Sequence, residues 1–208
     1  MPVHLRRKVV VFDGLLRLIH AWNALSILFL IASGLIADEF KHSATGAELW
    51  QLHIQLGYAL VGGLAARVLW GLIGPRSARW TDLWHPHEWL ATLRALPRLN
   101  LPAARRGHDA LASALFLWLY LILAGLAATG LALAAIKHNM GPLTAWLGDS
   151  IWLKHWFKEP HEVMYGLVAG FIGLHLTALL WHQFVGNAPV AQAMLTGNQY
   201  LNRGENHA

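Results

Sequence analysis

The chain has 208 residues, of which 56% are hydrophobic and 13% charged, with a formal net charge of +5; soluble domains carry about 25% charged residues. It contains 13 His and 11 Trp but no Cys, which excludes disulfides, cysteine-held iron–sulfur clusters, covalently attached c-type haem and cysteine zinc sites. So large an apolar share excludes a disordered chain, and it assigns the positive charge to one face of a membrane rather than to nucleic acid.

Arg6, Arg7 and Lys8 precede the first apolar run, residues 15–36 (LLRLIHAWNALSILFLIASGLI). A secretory signal is the competing expectation here, because Leu35-Ile36-Ala37 resembles a cleavage site. The run is long for a signal core, however, and it carries Arg17 and His20. The second run covers residues 49–73 (LWQLHIQLGYALVGGLAARVLWGLI). A polar loop follows in which Trp80, Trp84, Trp89, Leu90, Leu93 and Leu96 recur at roughly helical spacing, with Arg79, Arg94 and Arg98 between them. Pro86 suits a helix start, so the loop is expected to hold a short helix lying on the membrane surface. His85 and His87 flank that proline, and a turn before a helix accounts for them. The third run covers residues 110–136 and the fourth residues 162–186. Between them lies a segment with Trp146, Trp152 and Trp156, which reads as an outer aromatic belt. All four runs reach the roughly 20 residues that a bilayer-crossing helix needs. None shows the period-2 alternation of barrel strands. The fold class is therefore all-α, an integral membrane four-helix bundle forming a single domain over residues 1–208.

Charge orients it. With the N-terminus inside, the inner segments hold Arg6, Arg7, Lys8, Arg17, Arg67, Arg76, Arg79, Arg94, Arg98, Arg105, Arg106 and Arg203, and the outer ones only Lys41, Lys137, Lys154 and Lys158. This positive-inside bias predicts that both termini and the Trp-rich loop are cytoplasmic, in a bacterial inner membrane.

Ionisable residues inside a membrane are costly and mark function. Five of the histidines fall in or at the spans: His20, His53, His161, His175 and His182. The first span starts inside, which puts His20 toward the cytoplasmic half. The second and fourth start outside, which puts His53 and His161 toward the outer face. His175 lies 14 residues beyond His161, about 21 Å along a helix and within about 40° of the same face. Each therefore meets a partner at its own depth: His161 meets His53, and His175 meets His20. Depth alone also allows His182 as the partner of His20. Paired imidazoles with no Cys or acidic cluster beside them suit b-type haem. Two such haems make an electron path with no vacant iron position. Gly57, one turn after His53, leaves room for a flat macrocycle. Arg17 and Arg67 lie where propionates or lipid phosphates could be held.

Several segments resemble the prokaryotic cytochrome b561 family, in the branch of the b-type cytochrome subunits of nickel–iron hydrogenases. Phe12-Asp13, Arg17 and Ile19-His20-Ala21-Trp22 resemble the first-helix motif, and His53 with Gly57 and Tyr58 the second. Arg67 to Gly74 with Ala78-Arg79-Trp80 is similar to the segment leaving that helix. Thr129-Gly130 matches the third helix, Pro160-His161-Glu162 and Leu174-His175-Leu176 the fourth, and Ala193 to Gly197 the tail. The resemblance covers nearly the whole chain. It implies the haem pairs His20/His175 and His53/His161, with His182 not a ligand and no ligand on the third helix. It further implies electron transfer between a periplasmic or membrane-associated redox protein and a quinone near the cytoplasmic haem, where Arg17, Asn23, Arg67 and His182 are the polar candidates. Asn23 and the Trp-rich outer segment depart from the pattern.

The leading expectation is thus an electron-transfer subunit that carries two haem b, has no substrate chemistry of its own and works within a homo- or hetero-oligomer. Two alternatives stand beside it. A stand-alone superoxide:quinone oxidoreductase needs a positive outer funnel, yet Asp38, Glu39, Glu48, Asp149, Glu159 and Glu162 outnumber the four outer Lys. A His-based metal transporter usually adds carboxylates or Cys beside His, and none lies at those depths.

Overall fold

The computed structural model describes residues 6–95, 110–184 and 190–202. Four long helices dominate: α1 (Gly14–Glu39), α2 (Ala44–Ile73), α4 (Ala110–His138) and α6 (Lys154–Phe184). All four are long and apolar enough to cross a membrane. Shorter elements are β1 (Arg6–Val10), α3 (Pro86–Ala95), α5 (Thr144–Leu147), α7 (Val190–Thr196) and β2 (Asn198–Asn202).

Local chemistry sets the helix ends. Asp13 caps α1 by accepting the Leu16 N–H at 2.9 Å. Ser43 does the same for α2, accepting the Gly46 N–H at 3.2 Å, as short polar side chains do at helix starts. The α1–α2 turn is tight: a Cβ at Gly46 would lie 2.1 Å from the Phe40 carbonyl oxygen. After α4 the chain reverses through Asn139 (φ 54°) and Gly141 (φ 96°), the left-handed conformation that Asn and Gly tolerate. The fourth apolar run was expected to begin at residue 162, but α6 already starts at Lys154 and contains Pro160. Pro160 lies in the second turn and forgoes one i→i−4 backbone bond, yet the helix continues past it and His161 sits two turns inside.

The segment after α2 contains a helix, α3, which begins at Pro86, with short 3-10 turns at Arg76–Ala78 and Trp80–Asp82 before it. Leu83 is buried and Trp84 and Leu90 are exposed. Leu96 and residues 97–109 lie outside the described residues. The sequence reading did not anticipate a two-stranded antiparallel ribbon, in which β1 pairs with β2 in register Arg6↔Asn202 to Val10↔Asn198. The pairing brings the two ends of the chain together on one side.

The chain divides into two compact units. The first comprises Met1–Leu18, Val68–Leu119 and Phe171–Ala208. There the ribbon is joined to α1 by the Arg17 guanidinium, which donates to the Met194 and Leu195 carbonyls at the end of α7. Gly197, at φ 80°, turns the chain so that its carbonyl accepts from Val11 and Phe12. Asp13 also accepts from the Trp70 indole at 3.1 Å, and the Trp80 indole packs on Gly71 and donates to the Val68 carbonyl at 3.2 Å. The second unit comprises Ile19–Arg67 and Tyr120–Gly170. In it α2 packs against α1 and α4, and α4 against α6.

Candidate functional site

The clearest constellation lies in the second unit. His53 on α2 has its Nδ1 3.1 Å from the Leu30 carbonyl and 3.2 Å from the Ser33 hydroxyl of α1. A carbonyl only accepts, so Nδ1 must carry the proton and donate. His161 on α6 has its Nδ1 3.0 Å from the Thr129 hydroxyl of α4. That hydroxyl's one proton goes to the Gly125 or Leu126 carbonyl, at 2.8 and 3.1 Å. Its oxygen is then left to accept, so His161 also donates through Nδ1. In the neutral form of each imidazole this leaves Nε2 with the lone pair, the arrangement in which an orienting hydrogen bond prepares a histidine to ligate a metal.

Small residues reserve the space around the rings. A Cβ at Gly34 would lie 3.3 Å from the His53 ring, and one at Gly130 would lie 3.1 Å from the His161 ring. The same dipeptide logic occurs twice, as Ser33-Gly34 on α1 and Thr129-Gly130 on α4: a hydroxyl orients the imidazole and the following glycine makes room for it. Gly57 has open space where a Cβ would stand and is turned only about 40° from His53 around α2. Gly166, Gly170 and Gly173 also border open space, but they lie about 120–180° around α6 from His161, off the ligand face. Gly125 is packed against Met164, as small residues do where helices approach closely. Trp50 meets His53 edge-on with centroids 5.5 Å apart, and the Lys137 ammonium lies 5.0 Å over the Trp50 ring. A neutral, oriented pair of imidazoles beside glycine-lined space fits a b-type haem.

The remaining expected residues are placed as follows. His175, in the first unit, stacks on Phe171 at 5.9 Å and meets the edge of Phe116 at 6.3 Å. His20, in the second unit, is exposed on α1. Arg17 is engaged by the tail carbonyls described above. Arg67 is buried in the second unit, with its Nε 3.2 Å from the Tyr120 hydroxyl and its guanidinium 5.4 Å over that ring. Asn23 is buried against Gly63. His182 is in the last turn of α6, and its side chain lies outside the described residues. His85 donates to the Asp82 carbonyl at 3.0 Å, in keeping with a turn before α3. Among the described residues no group of three or more His, Cys, Asp or Glu is placed to hold a metal ion. Early in α6 Lys158 pairs with Glu162 at 2.9 Å, and Trp146, Trp152 and Trp156 are exposed.

Sequence reasoning missed Ser33, Gly34 and the roles of Thr129 and Gly130. The signal that could have found them is a hydroxyl residue followed by glycine on each span that lacks a ligand at that depth.

A "Probable Ni/Fe-hydrogenase B-type cytochrome subunit" of Bradyrhizobium diazoefficiens (strain JCM 10833 / BCRC 13528 / IAM 13628 / NBRC 14792 / USDA 110) is 24% identical, over 93% of this chain and 87% of the relative. A protein of the same description from Azotobacter chroococcum mcd 1 is 26% identical, over 91% of this chain and 87% of the relative. No solved structure matches. The family described as prokaryotic cytochrome b561 matches residues 11–197. With four membrane-crossing helices and nearly its whole length matched, the chain belongs to the prokaryotic cytochrome b561 family, as a multi-pass b-type membrane cytochrome.

Proposed function

We propose that the protein carries electrons across a bacterial inner membrane between a hydrogenase-like redox protein and the quinone pool, using two haem b groups. The observation that carries this reading is that Nδ1 is committed as a donor in both His53 and His161, which leaves two Nε2 lone pairs to hold one iron. His20 and His175 are the second pair, by the depth matching and the family resemblance. Haem b would supply one-electron ferric/ferrous chemistry, and His53 with His161, and His20 with His175, would be the residues that hold it. The chain itself orients the ligands and keeps their outward nitrogens protonated. Its apolar spans keep water from the path, and the exposed tryptophans of the outer segment lie where a partner or the lipid interface would be. The relatives' description as hydrogenase cytochrome subunits supports the partner class. Both termini and α3 are assigned to the cytoplasmic side, and the quinone to the neighbourhood of Asn23 and His182 at the inner end. With no Cys in the chain, the electron source is on another molecule.

The test is haem stoichiometry. Purified protein should contain two b-type haems per chain. His161→Ala and His53→Ala should each remove one and leave the other's reduced band. Survival of both bands in His161→Ala would refute the assignment.

A further inference from the structure

Arg67 is the buried cation of the α2 span. The residue is 5% exposed, and its Nε reaches inward to the Tyr120 hydroxyl of α4 at 3.2 Å. An arginine that snorkels to lipid phosphates sends its head out to the surface; this one is turned into the protein. Helix register shows what it stands beside. Along α1 and α2, which run antiparallel, Ser33 and Gly34 lie opposite His53, and Asn23 lies opposite Gly63. Continuing the register by one more turn places His20 opposite Ala66 and Arg67. Arg67 is also 14 residues inward of His53, about 21 Å along the axis and within about 40° of the same face. It therefore occupies, at the depth of His20, the stripe of α2 that presents a ligand at the outer depth.

We propose that Arg67 and Tyr120 form the corner of the inner cofactor pocket that receives a carboxylate, namely a propionate of the haem held by His20. The inference rests on the di-haem reading above. A guanidinium has five N–H donors in a planar fork that fits a carboxylate with two parallel bonds. The Tyr120 hydroxyl accepts from Nε and so fixes the plane of that fork. Its ring, 5.4 Å from the guanidinium carbon, adds a cation–π contact. Arg67 is buried and its bond to Tyr120 part-buried, so a charge pair formed there is screened less than one in open water. Tyr120 acts through Arg67 and is a positioning residue.

The experiment is a redox titration of Arg67→Gln, Arg67→Lys and Tyr120→Phe, purified without quinone, with haem content measured alongside. The inner haem is identified as the one lost in His20→Ala. Removing the cation leaves the propionate's charge unbalanced and favours the ferric form. Arg67→Gln should raise the ferric-to-ferrous ratio of the inner haem about tenfold at fixed potential, about 59 mV downward for one electron. The outer haem should not move. Arg67→Lys and Tyr120→Phe should move the inner haem less, in the same direction. Unchanged midpoints in an Arg67→Gln protein that retains both haems would overturn the proposal, as would an equal shift of the outer haem. So would a change in quinone affinity with both midpoints unaltered, which would assign the pair to the quinone. If Arg67→Gln fails to assemble, unshifted inner midpoints in both milder variants overturn it. A wild-type protein without two haems would instead overturn the di-haem reading, and this inference with it.

Discussion

At the residue scale, His53 and His161 are set apart by what one ring nitrogen does. His53 and His161 each donate through Nδ1 to an acceptor on a neighbouring helix, and each ring lies against a glycine. The two devices fail differently when altered. Thr129→Val removes one neutral hydrogen bond, a loss of about 1 kcal/mol. It should weaken retention of the outer haem during heating while the inner one is held as before, as followed by the reduced absorbance bands. Gly130→Val puts a branched side chain where even a Cβ stands 3.1 Å from the ring. The helix backbone is rigid and the imidazole has to swing aside, so this variant should lose the outer haem outright and assay at one haem per chain. Equal haem content in Gly130→Val and wild type would show that the glycine only packs helices.

At the scale of elements, one spacing recurs on all four long helices. Fourteen residues separate His20 from Gly34, His53 from Arg67, Phe116 from Gly130 and His161 from His175. Each interval is just under four helical turns, so each helix repeats a face at two depths. The histidine spacing was legible because chain arithmetic alone reveals it. Arg67 was also legible as a candidate, but the spacing of Gly34, Gly130 and Phe116 was not, since glycine and phenylalanine are common in any span and acquire meaning only when the facing helix is known. The ribbon was equally hidden: RRKVV and NQYLN carry no alternating pattern of their own and pair because the helices bring their ends together. Arg17 ties that ribbon to α1, and its contacts to Met194 and Leu195 give it a structural task at the tail. Arg17→Gln should loosen α7 by about 1–2 kcal/mol and speed proteolysis near Met194, with haem content retained. Loss of haem instead would return Arg17 to the cofactor pocket.

At the scale of the whole molecule, charge asymmetry predicts the direction of insertion, and the absence of Cys makes that prediction easy to examine. A single cysteine introduced at Trp152, in the outer segment, should react with a membrane-impermeant maleimide on intact cells. One introduced at Ala91, in α3, should react only after the membrane is opened. The reverse pattern would invert the topology and exchange the outer and inner assignments of the two histidine pairs.

The four spans, the absence of covalent haem attachment and the candidate ligands all followed from the sequence alone, although α6 begins well before its apolar run. Hydropathy and residue count act along the chain and need no partner to be read. Tertiary structure decided which nitrogen of His53 and His161 meets a neighbouring helix, which glycines face a ring and which face open space, and that Arg67 turns inward to Tyr120. Those outcomes depend on which side chains of different helices share a depth and a face, and that exists only once the helices are packed.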